Sequence, residues 1–164
     1  MPAFGIRISI KTIKKKAYSC FLMQGYKFIE GLTVADVAFE AYGKTLDELF
    51  ENCALAVFDV NVDLKTVKAK KTVKIKVKGK DLENLLFNFI DELIFVKDKD
   101  FMVFNEFKAK VKANEEFSAE CAMKGDTINH EKQELRVDVK AVTMHHFSVK
   151  KEKGIYKAVV VLDI

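Results

Sequence analysis

Between Lys71 and Gly79 the chain alternates strictly. Val73, Ile75 and Val77 fall on one side, and Lys74, Lys76 and Lys78 on the other. A period of two predicts a half-buried strand. The segments flanking it keep a different period. In "TLDELFENCALAVFDV", Leu46, Leu49, Phe50, Cys53 and Val57 recur at i, i+3, i+4, i+7 and i+11. That is the apolar face of an amphipathic helix, opened by a Thr45/Glu48 capping box and ending over Asn61–Leu64. In "DLENLLFNFIDELIFV", Leu82, Leu85, Leu86, Phe89, Ile90 and Leu93 make a second, wider stripe behind an Asp81 N-cap, with "DKD" (98–100) read as the loop after it.

The rest reads as strands. Residues 26–29 and 34–42 pair across Glu30-Gly31, and "FNEFKAKVKA" (104–113), "FSAECAMKG" (117–125) and "ELRVDVKAVT" (134–143) each alternate. The end is a hairpin turning at Lys151–Gly154, and its last strand is apolar on both faces (Val159–Leu162), as a central strand is. No internal repeat stands out. The pattern predicts one α+β domain, a mostly antiparallel sheet with two amphipathic helices packed on it. Residues 1–22, with the basic cluster Lys14–Lys16, read as an N-terminal extension ahead of a domain at 23–164.

Composition narrows this further. The 164 residues suit a single core, and fourteen phenylalanines are its main large fillers. Cys20, Cys53 and Cys121 lie far apart, which fits a reducing cytoplasm better than a disulfide framework or a zinc knuckle. No apolar run reaches the roughly 18 residues of a membrane span. The net charge of +4 is mild, but Lys65, Lys68, Lys70, Lys71, Lys74, Lys76, Lys78 and Lys80 crowd into one stretch. A solvated strand face explains them, and so does a patch for an anionic partner such as RNA. No aromatic side chain interleaves with them, which argues against base stacking.

Nucleotide-binding glycine loops, a G-x-S-x-G elbow and H-E-x-x-H spacing are all absent from the sequence. His130, His145 and His146 come late, and the adjacent pair would face opposite ways in a strand. The carboxylates say more. Asp36 stands in the otherwise strand-like "TVADVAFEAYG", Asp163 follows "AVVVL", Asp63 follows the first helix, and Ile164 carries the terminal carboxylate. Such oxygen donors suit Ca²⁺, Mg²⁺ or Mn²⁺. Asp36 and Asp163 either share a cation or end separate strands in solvent. Lys140 leaves another apolar strand, where it either joins the polar face of Arg136 and Asp138 or holds nearby acids ionised.

Four stretches together resemble the archease family: "ADVAFEAYG" (35–43), "LDELFENCALAVFDVNVDL" (46–64), "GKDLENLLFNFIDELIF" (79–95), and "ELRVDVKAVTMHHFSV" with the terminal "VVVLDI". The resemblance implies a protein cofactor, not an enzyme, that activates the GTP-dependent tRNA-splicing RNA ligase by promoting its guanylylation and multiple turnover. It implies a metal site, calcium in the family, at Asp36, Asp163 and Ile164, with Lys140 as a functional position and tRNA contacted indirectly. DNA and membranes are not among the implied partners. Asp63 and His145 are weaker candidates. Two family histidines are replaced here, by Thr33 and Gln133, which leads us to expect weaker metal binding. Rival readings are a chaperone-like RNA- or protein-binding module acting through the lysine-faced strands, and a metal-dependent hydrolase, for which the sequence offers no base.

Overall fold

A computed structural model describes residues 25–32 and 35–164. The proposed extension, residues 1–22, lies outside them, as does Thr33. Strands β1 (Tyr26–Ile29) and β2 (Val37–Gly43) lead into helix α1 (Leu46–Asn61). Strand β3 (Lys71–Gly79), helix α2 (Leu82–Asp100) and the hairpin β4 (Met102–Ala113)–β5 (Phe117–Thr127) come next, and the hairpin β6 (Ala141–Glu152)–β7 (Ile155–Asp163) closes the chain.

The strands form two sheets, ordered β1-β2-β7-β6 and β3-β5-β4, and every pairing is antiparallel. The α+β class expected from the sequence stands, but the single sheet becomes two. Each helix packs against strands of both sheets. That is why α1 buries Ala54, Ala56 and Val60 as well as its expected stripe. Cys53 and Cys121 are core residues, and burial raises both thiol pKa values, that of Cys121 to about 12. β7 lies between β2 and β6 with Ala158, Val160, Val161 and Leu162 fully buried, as its apolar run predicts. The β6–β7 turn uses Lys153 (φ 50°) and Gly154 (φ 78°), both left-handed, as a two-residue type I′ turn requires.

The structure overturns the absence of a repeat. Gly43-Lys44-Thr45-Leu46 and Gly79-Lys80-Asp81-Leu82 build the same strand-to-helix turn. Thr45 and Asp81 side chains accept from the N–H groups of Glu48 (3.1 Å) and Asn84 (2.8 Å). The Glu48 and Asn84 side chains reach back to the N–H of Lys44 and of Lys80. Asn52 and Asn88, nine residues past the glycines, donate to the carbonyls of Tyr42 (2.7 Å) and Lys78 (2.8 Å). A Cβ on Gly43 would lie 2.4 Å from Leu49 N, and one on Gly79 2.6 Å from Leu85 N, so only glycine lets each helix start so close to its strand.

The likeness extends to topology. β3-α2-β4-β5 is a strand, a helix and a hairpin whose second strand pairs with the first strand. β2-α1-β6-β7 has the same order, and the first unit is inserted between α1 and β6 of the second. The helices also exchange favours at the sheet edges. Asp47 and Glu51 of α1 accept from Val111 N (2.8 Å) and Ala109 N (2.9 Å) on the open edge of β4. Glu83 of α2 accepts from Val149 N (3.2 Å) on the open edge of β6. Carboxylates thus occupy edge donors that would otherwise invite another strand. On the far side β1 covers β2, while β3 is left as an edge dressed in lysines, another guard against pairing.

Two boundaries differ from expectation. α2 runs through 98–100 to a left-handed cap at Phe101 (φ 51°), so "DKD" is its last turn rather than a loop. Residues 134–140 form no strand. Arg136 N and Val137 N donate to the carbonyls of Asn61 (2.8 Å) and Val60 (3.1 Å), and Val139 N to the Asn61 side chain. The alternating segment caps the end of α1, whose last carbonyls lack partners within the helix. Its polar positions are therefore occupied: Arg136 is buried against Asp59, and Asp138 meets the buried Lys97.

Candidate functional site

Asp36 precedes β2 instead of lying within it, and it is only half-buried. Its placement follows from register. Val37 pairs with Leu162 in the last rung of the β2–β7 ladder, so Asp36, one residue before Val37, and Asp163, one residue after Leu162, both lie at that end of the sheet. On the other flank Ala141 pairs with Asp163, and Lys140 N donates to the Asp163 carbonyl at 2.8 Å. Asp36, Lys140, Asp163 and Ile164 therefore lie at one end of the four-stranded sheet, at or beside the ends of β2, β6 and β7. Asp163 and Lys140 are exposed, and Ile164 is half-buried.

Among the described residues, no three His, Cys, Asp or Glu side chains converge as metal ligands do. A cation at this end would draw on two side-chain carboxylates, the terminal carboxylate, backbone carbonyls and water. That donor set is all oxygen, which fits Ca²⁺, Mg²⁺ or Mn²⁺ and not a thiolate- or imidazole-bound metal.

The weaker candidates lie in other settings. Asp63 caps the short 3₁₀ turn Leu64–Thr66 by accepting from Lys65 N (3.1 Å), and it lies 3.4 Å from the Arg136 guanidinium. Arg136 also donates to the Asp59 carboxylate (2.6 Å) and carbonyl (2.8 Å), and Tyr26 donates its hydroxyl to the other Asp59 oxygen (3.1 Å). Burial pushes the Asp59 carboxyl up, against the opposing pull of Arg136 and Tyr26. Neither Asp59 nor Arg136 stood out in the sequence, because each sits in an unremarkable polar slot.

His145 lies in a bulge. Thr143 pairs with Val161 but Ser148 with Val159, which extrudes Met144, His145 and His146 into solvent. With His146 at φ 55° the two imidazoles stand 4.1 Å apart, so they do not take opposite faces as a regular strand would impose. Gln133, where the resemblance leads us to expect a histidine, is buried and pins its loop by accepting from Asn129 N and donating to the Thr127 carbonyl.

The chain matches the archease protein family over residues 26–164. The chain belongs to the archease family. Protein archease of Methanothermobacter thermautotrophicus is 37% identical over 143 residues, covering 87% of this chain and 100% of that protein. The archease of Sulfolobus acidocaldarius is 38% identical over 79% of this chain and 93% of its own length. The solution structure of Methanobacterium thermoautotrophicum protein 1598 superposes with a TM-score of 0.73 at 36% identity, spanning 87% of this chain and 100% of that one. A Thermotoga maritima archease, described as a possible chaperone, shares the fold at a TM-score of 0.56 and 17% identity over 80% of this chain and 93% of its own. The archease assignment and the α+β fold read from the sequence are thus both shown.

Proposed function

We propose that the chain is a non-catalytic activator of the GTP-dependent tRNA-splicing RNA ligase, working through a divalent cation held by Asp36, Asp163 and the Ile164 carboxylate. The observation that supports this reading is the Val37–Leu162 register, the last rung of the β2–β7 ladder, which brings Asp36 and Asp163 to the same accessible end of the sheet. Two carboxylates at one sheet end offer a divalent cation the hard oxygen donors it prefers. The description of the T. maritima relative as a possible chaperone also favours action on a protein partner.

Each residue has a task its position supports. The Lys140 N–H fixes the Asp163 backbone at 2.8 Å and so orients both the Asp163 side chain and the terminal carboxylate. The exposed Lys140 ammonium is available to the ligase or to a phosphate. A bound divalent cation would supply positive charge for the phosphate oxygens of GTP during guanylylation of the ligase.

The test is multiple-turnover RNA ligation with ligase, GTP and Mn²⁺. The wild-type chain stimulates turnover and guanylylation; Asp36→Ala, Asp163→Ala and Lys140→Ala fold normally and do not. By calorimetry the aspartate variants lose at least about tenfold in Ca²⁺ or Mn²⁺ affinity, since even outer-shell partners are worth that much, while Lys140→Ala keeps its metal. If wild-type protein changes neither turnover nor guanylylation, the proposal fails.

A further inference from the structure

The outer face of the three-stranded sheet is a second place where charge is organised. Register aligns three rows across it: Lys74–Ala122–Lys108, Lys76–Glu120–Lys110 and Lys78–Ser118–Lys112. Six exposed lysines therefore stand in two columns, on β3 and β4, flanking a column of small or polar side chains on β5. The columns are two strand spacings apart, about 9.5 Å, and lysines within a column are about 6.7 Å apart. Lys74, Lys76, Lys108 and Lys110 line a shallow depression over Ala122 and Glu120. The helices pack on the opposite face through Ile75, Ala109, Cys121 and their neighbours.

The acids nearby only partly neutralise the face. Lys76 pairs with Glu120 (2.9 Å), Lys78 with Glu116 (3.1 Å) and Lys110 with Asp47 (3.3 Å). Lys74, Lys108 and Lys112 form no ion pair among the described residues. Charge complementarity thus calls for an extended polyanion. An acidic protein segment fits less well, because protein interfaces are built round apolar and aromatic anchors and are depleted in lysine, and this face has no such anchor.

We infer that this lysine-columned face binds the sugar–phosphate backbone of single-stranded RNA, one strand lying along the β5 floor between the columns. Lysines act as point charges on phosphates and carry no base information. With no aromatic side chain on the face to stack on, binding is independent of sequence and strongly salt-dependent. The choice of RNA over DNA rests on the ligase reading above; the phosphate site does not.

The experiment measures binding of fluorescent single strands of about 15 nucleotides to the full chain without ligase, from about 50 mM salt upward. Oligouridine and a mixed RNA sequence bind alike. The triple variant Lys74→Gln/Lys108→Gln/Lys112→Gln binds at least about tenfold more weakly, and its log–log salt slope falls by about 2, at roughly 0.7 per lost phosphate contact. A control, Lys68→Gln/Lys132→Gln/Lys150→Gln, makes the same change in net charge elsewhere and leaves affinity within about twofold. Four outcomes overturn the inference: no RNA binding at low salt, equal losses in the two triple variants, displacement of RNA by oligoglutamate at equal charge concentration, or a tenfold preference for DNA. Because no ligase is present, a failure here is distinct from a failure of the activator reading.

Discussion

Glu40, on β2, shows how much a single side chain can carry on an outer sheet face. Its two oxygens lie 3.0 Å from Lys27 and 3.0 Å from Lys157, and the Tyr42 hydroxyl donates to it at 2.6 Å. Partial burial pushes its pKa up, but the Tyr42 hydrogen bond and the two lysines outweigh that and hold it at about 2. Burial and the same carboxylate raise Tyr42 to about 12. A carboxyl depressed on folding stabilises the fold above its unfolded pKa and loses that contribution as pH falls through the folded one. Glu40→Gln should therefore melt below wild type at pH 7, and the gap should close between about pH 5 and pH 2; thermal melts across that range check it. At this scale the sequence reveals the types of residue involved more readily than their partners. Asp36 and Asp163 are visible as acids beside apolar runs. That Arg136 is buried against Asp59 is not, because a residue spacing of 77 carries no local signal.

At the scale of elements, periodicity does most of the work where one face is buried. Both helices and the lysine-faced strands follow it closely. It misleads at 134–140, where alternation between buried and polar positions is met by capping α1 rather than by a sheet ladder; the two differ only in what accepts the hydrogen bonds. It stops α2 too early, since charged residues in a last helical turn look like a loop. The twin asparagines offer a direct test. Asn52→Ala and Asn88→Ala each remove a side-chain bond to the carbonyl ahead of the turn glycine, worth about 1 kcal/mol, or roughly 2–4 °C in Tm for a chain of this size. Asn52→Ala should cost more, because its bond is the more buried of the two. Equal, negligible shifts in differential scanning calorimetry would show that the glycines and N-caps hold the turns alone.

For the molecule as a whole, the nested units explain why the topology was beyond sequence reading. The repeated turn is written in only five identities, Gly43/Gly79, Lys44/Lys80, Leu46/Leu82, Leu49/Leu85 and Asn52/Asn88. The exchange of helix carboxylates between sheet edges exists only in three dimensions. The inserted unit begins and ends at one place: Lys70 N donates to the Gly125 carbonyl (3.0 Å) and the Lys71 ammonium to Thr127 (2.7 Å). Alone, however, residues 69–128 would leave α2 without β6 and β4 without the α1 carboxylates. Expressed separately, that segment should self-associate or remain unfolded; a folded monomer in sedimentation and amide spectra would contradict this. Each helix guards the edge of the sheet its own unit does not contribute to, as subunits do in a two-fold dimer exchanging equivalent contacts. The arrangement is that of such a dimer threaded into one polypeptide, whose two halves stay at fixed stoichiometry and meet at a high effective concentration that dilution does not change. Freed from having to match, the halves can differ: one carries Asp36 and Asp163 at a sheet end, and the other a field of lysines.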